Sequence, residues 1–367
     1  MKILMLTAAM DIGGAETHIL ELSRELSRRG HSVTVASNGG VYVAELEAAG
    51  VRHLAAPLHT KNPMDMLRAK KILSRDMAEQ GYDVVHAHAR IPGFVGHGVA
   101  KKHGVPFVTT FHGVYDPVWY LRLLTKVGEY TLAVSDDVRE YLKKYYGTPH
   151  ENIEITVNGI DTDKFERGDI SPVIPEMAEG ENIVCVTRLD RDPSWHVFRM
   201  IEAMPEIKKI HPDARLVIVG GGDVLDEVSA SAAEVNGKIG ECITVTGPRT
   251  DIAQILKSAR VFVGVSRAAM EAMATRVPVI LSGAQGHLGI YTHDLEDTAV
   301  LTNFCCRDRD VADTATLAKA TTELLSYPDE TLRDMGDYNR EVVMRLYSVG
   351  RMADDAEKLY GRAIKNK

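Results

Sequence analysis

Cysteine is scarce: Cys185, Cys242, Cys305 and Cys306 are the only four in 367 residues. Their spacings are not those of a zinc site and the adjacent pair has no redox-motif logic, so no structural metal is expected. Cys185 and Cys242 fall in apolar runs that read as buried strands, where cysteine serves as a small hydrophobe. Reduced thiols point to a cytoplasmic address. Long apolar runs are missing too. None approaches the ~18 residues needed to cross a bilayer. The opening run at 3–6 is too short for a signal peptide and leads into a charged amphipathic helix. Basic excess is also absent. A net charge of −8 argues against a general nucleic-acid binder. What is present is an ordinary globular composition, 45% apolar and 26% charged, in a chain long enough for two domains with a substantial core each.

The first half opens as strand (2–6), loop, helix (15–28) and strand (32–36). Ile19, Leu22 and Leu26 give the helix one apolar face. The loop carries Gly13-Gly14 but lacks the GxGxxG spacing, and the second strand ends at Ser37-Asn38 with no acid for a ribose. A nicotinamide enzyme is therefore disfavoured. The glycine pair is either a tight turn or a place where backbone comes close to a ligand. Next, Asp83-Val-Val-His86-Ala-His88 places two histidines on one face of a strand end. No carboxylate or further histidine completes a metal set there. The strand at 106–110 ends in Phe111-His112-Gly113, and a histidine at a strand's carboxyl end is well placed for a cleft. Residues 132–135 are another strand end, with Ser135 as a helix cap. Residues 117–130 combine Trp119, Tyr120 and leucines with Arg122 and Lys126. That pattern suits an interfacial membrane helix, a cover over one side of a cleft, or core packing, with core packing leading.

In the second half one stretch organises its surroundings. Residues 261–265 form an apolar, β-branched run, Ser266 stands where an N-cap belongs, Ala268 to Ala274 favour helix, and 277–281 is apolar again. This is a βαβ unit, and sheets built from such units bind ligands at the carboxyl ends of their strands, where helix N-termini attract anions. Glu271, alone among alanines, is either a solvated face or a ligand group.

Glu271-Ala-Met-Ala-Thr-Arg-Val-Pro-Val-Ile resembles the second half of the signature of GT-B glycosyltransferases of family 4: Glu, seven residues, a second Glu, then Ala-Met-Ala-x-Gly-x-Pro-Val-Ile. The first Glu would fall at Val263 and is absent. Other segments resemble the family in order. Asn158-Gly-Ile-Asp161-Thr-Asp163-Lys-Phe165 is similar to its interdomain motif, which favours a hinge over the DxD metal reading of Asp161 and Asp163. Thr187-Arg188-Leu189 matches Gly-Arg-Leu, although the lysine that should follow is Pro193 and the next glycine is Ser194. Gly220 and Gly222 match a Gly-x-Gly after a strand, and Gly247-Pro248-Arg249 matches the loop that reads the nucleobase. Residues 282–291 read as a glycine-rich loop facing the cleft.

The resemblance implies an α/β, GT-B fold: two Rossmann-like domains facing across a cleft, with a C-terminal helix crossing back to the N-terminal domain. Residues 1–167 would be the acceptor-side domain, 168–181 the linker, 182–345 the nucleotide-sugar domain and 346–367 the returning helix. It implies a retaining, metal-independent hexosyltransferase-like enzyme without a cofactor. The donor would be a nucleotide-diphosphate sugar, with UDP the expected nucleotide. The acceptor would be a glycan, lipid-linked or small molecule of the cell envelope, reached from the cytoplasm with peripheral contact to the membrane's inner face. Gly13, Gly14 and Arg188 would hold the diphosphate, with Arg191 able to compensate for the missing lysine. Ser266 and Arg267 would replace the missing Glu. Glu271 would bind the ribose, and His112 would stand beside the sugar as the residue at the reaction centre. A nucleotide-sugar 2-epimerase and a non-catalytic GT-B partner subunit are the alternatives.

Overall fold

The computed structural model describes every residue except 115–118, 167, 169, 170, 192–194 and 367. The chain divides into two compact units: Met1–Gly159 with Tyr347–Lys367, and Ile160–Leu346. The first unit is built on strands β1 (Lys2–Leu6), β2 (Ser32–Ser37), β3 (Arg52–Ala55), β4 (Val84–Ala87), β5 (Phe107–Phe111), β6 (Tyr130–Ala133) and β7 (Ile153–Ile155). They lie in the order β3-β2-β1-β4-β5-β6-β7, every neighbouring pair parallel. Strands such as Val-Val-His-Ala in β4 are buried throughout, as both faces of a parallel sheet are covered by helices.

The second unit is built on β8 (Glu181–Val186), β9 (Ala214–Val219), β10 (Ile243–Val245), β11 (Val261–Gly264), β12 (Val279–Gly283) and β13 (Gly286–Ile290). Their order is β10-β9-β8-β11-β12-β13. All pairs are parallel except the last, an antiparallel hairpin between β12 and β13. That hairpin corrects one expectation: the glycine-rich stretch after Leu281 is mostly strand, not an open loop. Its Gly286 is required by packing, since a Cβ there would lie 2.0 Å from the carbonyl oxygen of Cys306. The core beneath the sheet joins Ile183, Leu216, Val261, Val263 and Ile280 to Met200, Met204 and Leu317 of the covering helices.

Both sheets reverse strand order once, between β1 and β4 and between β8 and β11. Crevices outside the carboxyl ends of strands at such a reversal are where doubly wound sheets bind ligands. The expected site residues lie along these two edges.

The last helix, Val349–Lys365, belongs to the first unit. Its first turn is capped by Ser348, whose Oγ accepts from the Arg351 amide at 3.3 Å. Arg29 donates to both Asp354 and Glu357 at 2.6 Å, and Arg362 meets Glu154 at 2.8 Å. Deeper in, the Tyr360 hydroxyl and His86 Nδ1 are 2.7 Å apart, both residues fully buried. The returning helix is thus held by a buried polar bond as well as by surface charge. Tyr360→Phe removes one partner of that bond and leaves a buried ring nitrogen unmatched. It is expected to cost about 1–3 kcal/mol in urea denaturation, and a change of only a few tenths would contradict this account of the helix's attachment.

Candidate active site

In the second unit the site edge is set by a backbone crossing. Residues 187–189, just past β8, run against residues 220–222, just past β9. The Thr187 amide donates to Val219 O at 3.0 Å, and the Leu189 amide to Gly221 O at 3.0 Å. A Cβ on Gly220 would lie 1.8 Å from the Thr187 oxygen, and one on Gly222 would lie 2.3 Å from the Leu189 carbonyl carbon. These glycines therefore serve the approach of two protein segments, and through it the placement of Arg188. Arg188 itself reaches outward with a 73% exposed side chain, and its nearest acid is Asp190 at 3.4 Å. It is a loosely held cation at a sheet edge. Arg191 is also exposed and pairs with Glu227 at 3.0 Å. Asp192, Pro193 and Ser194 lie outside the described residues.

The third loop of the edge follows β10. Gly247 O accepts from the Gly220 amide at 3.0 Å, and Pro248 packs against Gly221. Arg249 folds back onto Asp251, two residues on, through bonds of 2.8 and 2.5 Å. A cation paired to its own turn presents less free charge than Arg188 does.

Between β11 and the helix Ser266–Ala274 the chain turns within one residue. The cap position falls on Val265 rather than Ser266. Ser266 is the first helical residue and has φ 57°. Its amide donates to Phe304 O at 2.8 Å, and Phe304 also has positive φ, 59°. Left-handed backbone at such residues costs roughly 1–2 kcal/mol each, and such strain gathers at functional turns. Ser266→Gly should therefore raise stability by about 1 kcal/mol, read by chemical denaturation. A loss of stability would show that the side chain matters more than the backbone. The short turn also explains the missing glutamate. Val263 is fully buried inside β11, paired with Ile280, so the position eight residues before Glu271 is core here and cannot present a carboxylate to a ligand.

Glu271 is 8% exposed, so the solvated-face reading is wrong. Arg267, one turn earlier, donates from Nε to Glu271 Oε1 at 2.9 Å. Burial raises the carboxyl above its ordinary pKa, and Arg267 opposes that rise. The pair makes Arg267 a partner of Glu271, which was not part of its expected role.

In the first unit, the helix Gly14–Arg28 starts directly after Gly13 with its leading amides at the carboxyl edge of β1. Its loop is braced from β2: Met10 donates to Gly39 O at 2.7 Å, and a Cβ on Gly40 would lie 2.3 Å from the Met10 carbonyl carbon. His112 follows β5, and its Nε2 is 3.2 Å from His88 Nδ1. His18, from the first helix, meets the His112 ring edge-on with centroids 4.7 Å apart. His86 lies behind His88, 4.0 Å between centroids, and is fixed by Thr110 and Tyr360 at 2.7 Å each.

His18 was not legible as a site residue. The only signal was its position four residues before Leu22, on the apolar face of the helix. Folding thus supplies the further histidines that the His86-His88 pair lacked in sequence. One ring nitrogen from each of His18, His88 and His112 lies within 4.8 Å of the others. A zinc ion bound at ~2.1 Å to each would draw such nitrogens to roughly 3.4 Å, so the rings stand as a wide imidazole cluster.

Burial lowers the His86 pKa to about 3 and that of His88 well below the ordinary histidine value. Both are neutral in the native state, and one ring of the His88–His112 pair donates to the other. The unfolded chain binds protons at these sites below pH ~6.5 while the native state does not. Their contribution to stability is therefore complete above that pH and is lost as pH falls towards the folded values. His86→Gln should flatten the fall in stability between pH 6.5 and 5 by about 1 kcal/mol per pH unit, and parallel curves would contradict this.

The Asp161 carboxylate accepts from the Asp163 and Lys164 amides at 3.1 and 2.9 Å. It closes a turn.

Two doubly wound units, one with cations at its carboxyl edge and one with a histidine cluster there, are the build of a GT-B transferase. Residues 12–164 match the model of Glycosyltransferase Family 4, and residues 180–326 that of Glycosyl transferases group 1. The chain belongs to the family-4, group-1 type of GT-B glycosyltransferases. It is 24% identical over 347 residues to a UDP-Gal:alpha-D-GlcNAc-diphosphoundecaprenol alpha-1,3-galactosyltransferase of Escherichia coli, with 86% of this chain and 85% of that protein covered. Its fold is shared with a glycosyltransferase of Rickettsia africae (TM-score 0.77, 21% identity, 100% and 99% of the chains covered). It is shared equally with Anabaena HepE, solved with UDP and glucose (TM-score 0.76, 16% identity, 99% and 100% covered).

Proposed function

We propose that this glycosyltransferase moves a sugar from a UDP-linked donor to a lipid-linked acceptor of the cell envelope, with retention at the anomeric carbon and without a metal. The observation that carries the reading is the second unit's edge, where an exposed, loosely paired arginine follows β8 and a helix N-terminus with a buried carboxylate one turn in follows β11. The nucleotide and the acceptor class are supported by the E. coli relative, whose name specifies UDP-Gal and a diphosphoundecaprenol-linked sugar. HepE was solved with UDP.

Each group has a task set by its chemistry. The bond to the sugar breaks with charge building on the departing diphosphate, and cations and oriented amides stabilise that charge most when they are already in place. Arg188 supplies a guanidinium suited to paired phosphate oxygens. The N-terminus of the Ser266–Ala274 helix supplies a positive dipole end. Glu271 accepts from ribose hydroxyls, with Arg267 orienting its carboxylate. The Pro248–Arg249 loop lies by the base. In the first unit the Gly13-Gly14 amides take phosphate oxygens, and His112 stands by the reacting side of the sugar with its ring orientation set by His88. Protein cations in place of a divalent ion make the transfer independent of magnesium.

The test is transfer from a panel of nucleotide sugars, with and without magnesium. The account expects one UDP-sugar to be used with equal rates in magnesium and in EDTA. Arg188→Ala should lower kcat/KM by roughly a hundredfold, the scale for removing one charge-stabilising donor. Native rates from Arg188→Ala, or loss of activity in EDTA, would overturn it.

A further inference from the structure

Three histidines meet at the carboxyl edge of the first unit's sheet. His18 comes from the helix Gly14–Arg28, His88 from the turn after β4 and His112 from the turn after β5. One ring nitrogen of each lies within 4.8 Å of the others. A tetrahedral zinc ion holding nitrogens at ~2.1 Å sets them roughly 3.4 Å apart, so closing the set takes about 1.4 Å at most. His88 Nδ1 and His112 Nε2, at 3.2 Å, already stand near that spacing. The His88 ring is backed by His86, 4.0 Å away between centroids, and His86 is fixed in turn by Thr110 and Tyr360 at 2.7 Å each. His18 and His88 are buried, while His112 is only half-buried and gives an ion its way in. The Nε2 of His88 is buried with no hydrogen-bond partner among the described residues, which is unusual for a polar atom in a protein interior.

We propose that His18, His88 and His112 bind a divalent ion of the zinc class, and that the bound ion shuts down the transfer. Imidazole nitrogens suit zinc, copper and nickel, whereas magnesium and calcium take oxygen ligands, and this set contains no carboxylate. Three histidines leave one tetrahedral position for water. On binding, the hydrogen bond between His88 and His112 is exchanged for two metal–nitrogen bonds. The ring that donated in that bond carries its proton on its other nitrogen instead, so both rings stay neutral and no proton is lost. A metal-bound His112 is fixed towards the ion and withdrawn from the sugar. The inhibition rests on the role proposed for His112; the site itself does not. An inhibitory ion held by nitrogen leaves the transfer's independence of magnesium untouched.

The test uses the full chain, stripped of metal with EDTA and dialysed, then titrated with zinc against a chromophoric chelator and with cobalt(II) as a coloured probe of the same site. One zinc per chain is expected, displacing cobalt and unaffected by excess magnesium. His18→Gln and, separately, His88→Gln should weaken zinc binding by more than about a hundredfold, since even a group that only supports a ligand is worth roughly 10–100-fold. Cys305→Ser/Cys306→Ser should leave it unchanged. Far-UV circular dichroism checks that each variant folds. Transfer should fall over the zinc range in which the site fills and return with excess EDTA. Retained zinc affinity in folded His18→Gln, or its loss in the cysteine variant, would overturn the site. Stoichiometric binding with undiminished transfer would overturn the inhibition. Histidine-dependent zinc binding in a protein that transfers no sugar from any donor would support the site while counting against the proposed function.

Discussion

The carboxyl edge of the second unit depends on how closely two pieces of backbone can approach. Residues 187–189 lie so near Gly220 and Gly222 that a single Cβ would fall far inside van der Waals contact with a carbonyl group. That approach lets the loop after β8 hydrogen-bond to the end of β9, and it fixes the level at which Arg188 leaves the sheet. The Gly220 amide bond to Gly247 carries the same brace on to the third loop. The second unit thus holds its principal cation by main-chain geometry and leaves the side chain loose. Such an arrangement suits a group that must adapt to a flexible diphosphate.

The remaining groups show the complementary solution. Glu271 and Arg267 are both buried and bonded to each other, so their positions are set before any ligand arrives. A buried carboxylate of raised pKa beside a guanidinium is costly to maintain, which fits a group kept for binding rather than for stability. In the first unit four imidazoles stand together without a charge among the two whose titration is displaced, anchored through Thr110 and Tyr360. The returning C-terminal helix therefore braces the histidines through a hydroxyl as well as closing the unit's core. A fold that spends its last helix on supporting His86 links stability and site geometry in one contact.

Much of this was legible in sequence because the signals were local. Apolar runs such as 261–265 and 277–281 read as buried strands, and the histidine after β5 and the arginine after β8 lie where strands end. Glu271 was singled out by its isolation among alanines, and its burial rules out a solvated face. What escaped was non-local. His18 joins the other histidines only when the first helix packs onto its sheet, and no spacing in the chain announces that. Val263 looked like a lost ligand because counting residues from Glu271 assumes a longer strand-to-helix connection than the one present. Ser266 looked like a cap because serine favours that position, whereas the sharp turn gives the cap to Val265 and forces Ser266 into left-handed backbone. The stretch after Leu281 looked like a loop because glycines are rare in strands, yet Gly286 is there to clear the Cys306 carbonyl.

If the second unit's carboxyl edge holds the donor's diphosphate, UDP must alter the loops of that edge. Hydrogen exchange of the full chain with and without UDP tests it most directly, since amides that gain phosphate bonds or ordered loops exchange more slowly. Slowed exchange is expected at residues 187–191, 220–223 and 247–249 and at the start of the Ser266–Ala274 helix. Protection confined to other segments, with these four unchanged at saturating UDP, would contradict it.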